Sequence, residues 1–419
     1  MLATLRQRNF ALLWFAGLIS LAGDWMLMIA LPIFVYQLTG SAVATSAILI
    51  AKRLPSLLFG SMAGVFVDRW DRRRTMVVAN LLMALALLPL VAVRSAEQLW
   101  IVFVVAFVES TIAEFFGPAE NALLPQLVGE QHLVAANSLN ILNNNLARLI
   151  GPAVGGIAAA LLGIGGAALL DAASFLIAAG LVAAIRGQYR PAASEAPAAP
   201  GAWGRLGREW LEGLRVIVRS RPVAVIFALI AITSLGEGVF GVMLVLFVDH
   251  TLGGGARELG WLMSAQAVGG IAGALLAGRF GAAVRPASLI GVGGVLFGLI
   301  DLAIFNYPAF YPGILLGVLL FAVVGVPGVA MFTGVNVLLQ GAVPDQYRGR
   351  VFGTYSTTGA LLALAGTALA GQLGDRVPVV LVLNIQGFVY IAAGLLVLAL
   401  LRGYRAPAPT SDLRTADLA

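Results

Sequence analysis

The stretch from Phe10 to Leu38 reads FALLWFAGLISLAGDWMLMIALPIFVYQL and carries one charged side chain, Asp24. A helix needs about 20 mainly apolar residues to cross the hydrocarbon core of a bilayer, so this stretch is long enough to span a membrane. Similar apolar runs recur along the 419-residue chain, in which 60% of the residues are hydrophobic and 11% are charged. Because lipid offers no partner for backbone amides, the sequence predicts an all-α membrane protein.

Apolar runs separated by charged residues or Gly/Pro breaks predict twelve transmembrane helices. The predicted spans are residues 10–38, 43–67, 75–94, 99–120, 135–162, 166–186, 222–248, 258–280, 286–305, 311–338, 350–373 and 379–401. Arginines concentrate in alternate connections between these spans. By the positive-inside rule, this asymmetry predicts a multi-pass protein of the cell inner (plasma) membrane with both termini cytoplasmic.

The two halves of the sequence repeat each other. Gly23-Asp24 in predicted span 1 corresponds to Gly236-Glu237 in span 7, and LTGSA at residues 38–42 corresponds to LGGGA at residues 252–256. A parallel duplication of six spans predicts two pseudo-symmetric six-helix bundles. In transporters built this way, the substrate site lies between the halves near the bilayer midplane.

The repeat also sets the predicted domain boundaries. The N-terminal bundle covers residues 1–187 and the C-terminal bundle covers residues 222–405. Residues 188–221 predict a central cytoplasmic loop, with a Pro/Ala-rich tether followed by the spacing of an amphipathic helix on the membrane surface. Residues 406–419 predict a disordered cytoplasmic tail.

The composition argues against several classes of site. The chain has no cysteine and two histidines, so we expect neither disulfides nor thiol catalysis nor a Cys- or His-built metal site. It has no Walker A loop, so we do not expect ATP as the energy source. The net charge of +6 comes from arginines in short loops, which argues against nucleic-acid binding. We therefore expect a protein that is not an enzyme and uses no cofactor.

The connection after span 2 covers residues 60–76 and reads GSMAGVFVDRWDRRRTM, in which glycines precede a carboxylate and an arginine cluster. It resembles the loop signature of the major facilitator superfamily. The residues at the signature positions are Gly64, Asp68, Arg69, Arg72 and Arg73. Asp71 stands where the family usually has glycine, which is similar to the branch of macrolide and siderophore exporters.

This resemblance implies the major facilitator fold, with alternating access between two six-helix bundles. It also implies a cytoplasmic gate in which Asp68 lies against the positive end of span 11 and pairs with nearby arginines. The first turn of a helix presents unpaired amides, so such a contact is physically reasonable. The alternative is that Asp68 and the arginines only fix the topology.

Predicted span 5 contains RLIGPAVGGIAAALLG, in which proline bends the helix and glycines allow close crossing. Gly151, Pro152, Gly155 and Gly156 resemble the core of the antiporter motif of family members that export drugs against proton entry. The alternative is a plain packing device.

Residues 115–140 resemble the span 4 to span 5 connection of the same branch, which includes macrolide exporters, enterobactin exporters and lysophospholipid transporters. The resemblance implies a monomeric, proton-coupled exporter of small amphipathic compounds, in contact with membrane lipids. Two alternatives stay open. One is a lysophospholipid transporter without strict proton coupling, and the other is a membrane scaffold or receptor that transports nothing.

Charged side chains inside predicted spans need a partner or a purpose, because each costs a few kcal/mol. Asp24 in span 1 and Lys52 and Arg53 in span 2 lie at compatible depths, and Lys52 is the sole lysine of the chain. We expect Asp24 to pair with one of these cations and to couple its protonation to the switch between inward and outward states. A static buried salt bridge is the alternative.

Glu109 and Glu114 in span 4 and Arg148 in span 5 form a second candidate set. Arg148 lies about one turn ahead of the Gly-Pro bend, so we expect it to pair with Glu114. Charge neutralisation between neighbouring helices is one purpose of such a pair, and substrate or proton handling is the other.

Three further carboxyls lie within predicted spans. Glu237 is the repeat mate of Asp24 and is a candidate cavity residue. Asp301 in span 9 is predicted to face the outer side of its bundle. Asp171 lies near the outer end of span 6, where we expect it to be solvated.

Overall fold

A computed structural model of the chain describes residues 2–67, 69–187, 189, 217, 220–343 and 345–401. Every regular element within these residues is helical. Asp68, most of the predicted central loop and the predicted tail lie outside the described residues.

The helices follow the apolar runs of the sequence. Their bounds are α1 (Arg8–Thr39), α2 (Ala42–Val67), α3 (Arg72–Leu87), α4 (Leu99–Val128), α5 (133–162), α6 (164–183), α7 (Arg221–Leu246), α8 (Ala256–Phe280), α9 (Pro286–Asn306), α10 (Ile314–Ala342), α11 (Asp345–Gly374) and α12 (Val379–Leu401). Helices α5 and α6 form one helical stretch, Leu133–Ala183, interrupted at Gly163, whose φ of 68° favours glycine.

Ten helical stretches of the described chain are long and apolar enough to cross a membrane. One of them contains both α5 and α6, and α11, which begins with polar residues, lies outside these ten. The all-helical prediction with twelve long helices is therefore confirmed, with boundaries that shift by several residues.

The two halves repeat each other in packing as well as in sequence. Helix α1 packs on the α5–α6 stretch, as α7 packs on α11. Helix α2 packs on α4 as α8 packs on α10, and α3 packs on α6 as α9 packs on α12. Helices α1–α6 and α7–α12 thus form two pseudo-symmetric bundles.

The bundles meet at the end of the molecule that carries the α1–α2, α7–α8 and α11–α12 connections, named the closed end here. Contact occurs where α5 crosses α8 and where α2 crosses α11. Glycines make these crossings tight: a Cβ on Gly156 of α5 would lie 2.9 Å from Arg257 Cα of α8. One hydrophobic core spans both halves at this end, since Ile29 and Tyr36 pack with Val245 and Phe247.

The opposite end, which carries residue Arg8 and the α2–α3 and α10–α11 connections, is named the open end. Here each half has its own core. Phe10, Leu13 and Met76 belong to a core built from the first half, whereas Ile226 and Leu338 belong to one built from the second. The bundles are thus joined at one end and packed separately at the other.

Candidate functional site

Four charged side chains from four helices meet inside the first bundle. Lys52 Nζ of α2 lies 3.6 Å from Glu109 Oε2 of α4. Asp24 of α1 lies beside Glu109 and Lys52, and Asp171 of α6 is close enough to interact electrostatically with the other three. Glu109 is 5% exposed and Asp171 is 1% exposed. We name Asp24, Lys52, Glu109 and Asp171 the carboxyl–lysine cluster.

Small residues allow these helices to approach each other. Gly23 faces Asp171, whose carboxylate fills the space that a Cβ at this position would need. The Ser174 hydroxyl donates to Asp171 Oδ1 over 3.1 Å, and the Ser110 hydroxyl donates to Glu109 Oε2 over 3.3 Å. The glycine before Asp24 therefore brings α6 into the cluster.

The cluster differs in two respects from the sequence-based expectation. The ion pair of Lys52 is formed with Glu109, and Asp24 lies beside this pair rather than forming its own. The expectation that Asp171 is solvated is wrong, because α6 packs its carboxylate against the bare surface of Gly23. The sequence contained one indication of this contact. Gly23, directly before Asp24, has no side chain and so leaves room for a neighbouring helix.

Arg148 of α5 lies at the boundary between the bundles. Its Nη2 atom donates to Gln266 Oε1 of α8 over 3.3 Å, and its guanidinium lies 5.7 Å from the ring centroid of Trp25 on α1. Glu114, the partner expected for Arg148, instead lies against α2, where its Oε2 atom would be 3.1 Å from a Cβ on Gly60. The two side chains thus contact different helices, and Arg148 joins one bundle to the other.

The second bundle places its intramembrane carboxyls differently. Glu237 of α7 is exposed. Asp301 of α9 is 3% exposed, and its Oδ2 atom has no hydrogen-bond partner among the described residues. Near the closed end of this half, Arg257 forms an ion pair with Glu258, and His250 Nε2 lies 3.9 Å from Asp249 Oδ2. Glu237 and Asp301 therefore do not form a described cluster like that of the first bundle.

The described residues of the gate signature lie at the open end, where α2 ends and α3 begins. Gly64 faces open space and Arg69 is exposed. The Arg73 guanidinium donates to the Ala183 carbonyl at the end of α6. Asp71, at the position where the family usually has glycine, accepts from the Arg74 amide over 2.9 Å and so caps α3.

The Gly151–Gly156 segment of α5, which resembles the antiporter motif, contacts both α1 and α8. A Cβ on Gly151 would lie 2.5 Å from Trp25 Cβ, and one on Gly155 would lie 2.5 Å from Met26 Cα, both on α1. Gly156 faces α8 instead, and the Pro152 carbonyl lies against Gly260 of that helix. The segment therefore contacts the second bundle as well as the helix that carries Asp24.

Comparison with known proteins identifies relatives along almost the whole chain. The family model described as transmembrane secretion effector, MFS_3, matches residues 1–415. The uncharacterized MFS-type transporter YfiS of Bacillus subtilis is 27% identical over 399 residues, covering 94% of this chain and 93% of that protein. Macrolide efflux protein A of Streptococcus pyogenes is 28% identical, covering 88% and 90%. The multidrug efflux pump Tap of Mycobacterium tuberculosis is 30% identical, covering 87% and 86%.

Solved structures share the fold at low sequence identity. A POT family transporter in complex with a thioalcohol-conjugated peptide matches with a TM-score of 0.72 and 11% identity, covering 94% of this chain and 96% of that one. A bacterial homologue of the human lysosomal transporter Spinster matches with a TM-score of 0.64 and 12% identity, covering 94% of both chains. These matches show the major facilitator architecture.

Proposed function

Because the chain belongs to the transmembrane secretion effector family of the major facilitator superfamily, it is a membrane transporter, and we propose that it is a proton-coupled exporter of small amphipathic compounds. It acts as a monomer in the cell inner membrane, with both termini in the cytoplasm. The observation that carries the proposal is the carboxyl–lysine cluster inside the first bundle.

The charge of this cluster favours proton binding. Its three carboxyls and one lysine would carry a net charge of −2 if all four groups were ionised, which the membrane interior disfavours. Neighbouring carboxylates such as Asp24 and Glu109 repel each other when both are ionised, and a proton on either one removes this repulsion. The cluster is therefore suited to take up and release a proton when its geometry changes.

Contacts lead from this cluster to the boundary between the bundles. Asp24 precedes Trp25, which lies under the Arg148 guanidinium. Arg148 in turn bonds to Gln266 of the second bundle. Protonation of Asp24 changes the charge next to this connection, and so it can bias which end of the transporter is closed.

The predicted orientation in the membrane indicates which side of the membrane the closed end and the open end face. The positive-inside rule places the open end, with its arginine-rich loops, at the cytoplasm. The bundles would then be closed toward the outside and accessible from the cytoplasm or the inner leaflet. Substrate entry from that side, followed by closure of the open end, corresponds to export.

The substrate class rests on the relatives and on the resemblance of the motifs. Macrolide efflux protein A and Tap are named as macrolide and multidrug pumps, and the Gly151–Gly156 segment resembles the antiporter motif. Polar Asn144 and Asn145 are exposed on α5 near exposed apolar Ile141 and Leu142. A mixed surface of this kind suits an amphipathic guest.

The gate signature completes the proposed cycle. We assign Gly64, Asp68, Arg69, Arg72 and Arg73 to closure of the open end, as the resemblance implies. The position of the α2–α3 connection at the open end supports the assignment.

Transport in proteoliposomes tests the proposal. A panel of erythromycin, a cationic dye, a siderophore and a fluorescent lysophospholipid is offered under an imposed pH gradient. We expect gradient-dependent movement of the macrolide or the dye. Lysophospholipid movement that is indifferent to the gradient would replace the proposal with lipid transport, and movement of none of the probes would favour a non-transporting role.

A further inference from the structure

A carboxylate of the second bundle caps a helix of the first bundle at the closed end. Asp375 directly follows the last residue of α11, Gly374, and its Oδ1 atom accepts from the Ala42 amide over 2.9 Å. Ala42 is the first residue of α2 and is fully buried. The contact thus joins the C-terminal end of α11 to the N-terminal end of α2.

This contact uses a bond that α2 cannot make within itself. The first-turn amides of a helix have no partner inside the helix, and the helix dipole favours an anion there. The Ala44 amide donates a hydrogen bond to the nearby Ser41 hydroxyl oxygen over 3.3 Å. The Ala42 amide instead finds its partner on the other bundle, so its hydrogen bond forms only when the closed end is closed.

The surroundings of Asp375 allow its contact with the Ala42 amide to break and re-form. Asp375 is exposed and lines a cavity of about 490 Å³ between the bundles, together with Tyr36 and His250. Water can therefore replace the Ala42 amide as a partner of the carboxylate when the bundles separate. The bond between Tyr36 Oη and His250 Nε2, 2.7 Å long, is a second cross-bundle contact in the same cavity.

We propose that Asp375 is a latch residue: its carboxylate, seated on the first turn of α2, stabilises the closed end in this state of the transport cycle. The inference deepens the proposed alternating-access function and rests on it. Asp375 is a positioning residue, because it acts through the separation of α2 and α11 and not through contact with substrate. Loss of its charge shifts the population toward the state in which this end is open.

Because the chain has no cysteine, introduced cysteines report on each end without background. Ser46 is 5% exposed and lies against Gly371 in the α2–α11 crossing, so S46C reports opening of the closed end. Asn144 is exposed on the open-end part of α5, so N144C reports closure of the open end. Labelling rates with a fluorescent maleimide are measured on purified protein, without substrate or gradient.

We expect D375A and D375N to raise the S46C labelling rate by about threefold, as the loss of one helix-capping charge implies, and to lower the N144C rate. A matched control is E258Q, because Glu258 also accepts a backbone amide at the closed end, that of Gly255 over 2.8 Å, but within its own bundle. This control should leave both rates unchanged.

Opposite changes at the two reporters distinguish a latch from general loosening, which would raise the S46C rate without lowering the N144C rate. Unchanged rates in both Asp375 variants would overturn the inference, as would a rise at both reporters. The conservative variant D375E is expected to retain wild-type labelling rates. If D375A or D375N proves unstable, the other variant together with D375E still tests the inference. Since no substrate or pH gradient is involved, a negative result here is separable from failure of the proposed proton-coupled export.

Discussion

Asp24 and Glu237 occupy corresponding positions in the two bundles, each directly after a glycine, yet their surroundings differ. Asp24 lies within a cluster of charges from four helices, beside the Lys52–Glu109 pair. Glu237 is exposed, and a Cβ on its glycine neighbour would lie no closer than 3.7 Å to another side chain, that of Gln386. The duplicated scaffold thus keeps the same helix packing in both halves while only the first half gathers charges. Under the proposed proton-coupled mechanism, we therefore assign proton handling to the first bundle.

The largest expected effect comes from removing the cation of the cluster. K52Q leaves the buried carboxyls without a counter-charge, so we expect transport to fall by about tenfold or more. K52R should recover part of the activity because it keeps the charge. The matched control is R53Q on the neighbouring residue, which should have a smaller effect. Equal losses in K52Q and R53Q would remove the special role of the cluster. Initial rates in proteoliposomes provide the measurement.

The repeat mates themselves provide the next comparison. D24N should abolish the dependence of transport on the pH gradient, because an amide cannot exchange the proton. E237Q should retain that dependence and keep at least about half of the wild-type rate, since surface changes away from such a cluster are usually mild. Rates are measured across a series of imposed gradients. If E237Q abolished the gradient dependence and D24N did not, the assignment of the two halves would be reversed.

Substitution of Gly23 and Gly236, the glycines directly before Asp24 and Glu237, tests the helix packing that forms the carboxyl–lysine cluster. In G23A the new methyl group would enter the space of the Asp171 carboxylate, so we expect a loss of about 1–3 kcal/mol of stability together with reduced transport. In G236A the nearest atom to the new methyl group is 3.7 Å away, on Gln386, so this variant should be tolerated. Thermal unfolding of both variants in detergent decides between them. A more stable G23A would contradict the described contact between α1 and α6.

The smallest effect is expected for the buried carboxyl of the second bundle. Asp301 is 3% exposed with an unpaired oxygen and lies outside the carboxyl–lysine cluster. D301N should therefore keep transport within about twofold of the wild type and retain its gradient dependence. The same proteoliposome assay checks this expectation. A strong loss of coupling would place a second proton site in this bundle.

The fold was predictable to a large extent because lipid imposes simple rules on sequence. A span such as residues 10–38 must be long, apolar and helical, and the repeat of Gly23-Asp24 in Gly236-Glu237 predicts the second bundle. The break at Gly163 lies between predicted spans 135–162 and 166–186, although one continuous helical stretch contains both spans. Charge and hydropathy locate spans, but they do not define where a helix bends or ends.

Three of the four members of the carboxyl–lysine cluster were predictable from the sequence, whereas Asp171 and the pairing within the cluster were not. Asp24, Lys52 and Glu109 stand out in sequence because charges inside spans are rare, but their pairing depends on which faces of four helices meet. Nothing in the sequence shows that Glu114 contacts α2 while Arg148 contacts α8. The contact of Asp375 with Ala42 joins residues 333 positions apart, so it follows only from the arrangement of the two bundles.

The most direct test of the central claim, that one group in the first bundle exchanges a proton against substrate, is proton release on binding. Purified protein in weakly buffered detergent solution receives a probe that moves in the proteoliposome assay, such as erythromycin, while the pH and the heat of binding are recorded. We predict that the wild type releases protons as the probe binds and that D24N binds the probe without release. Binding to the wild type without proton release would contradict the account.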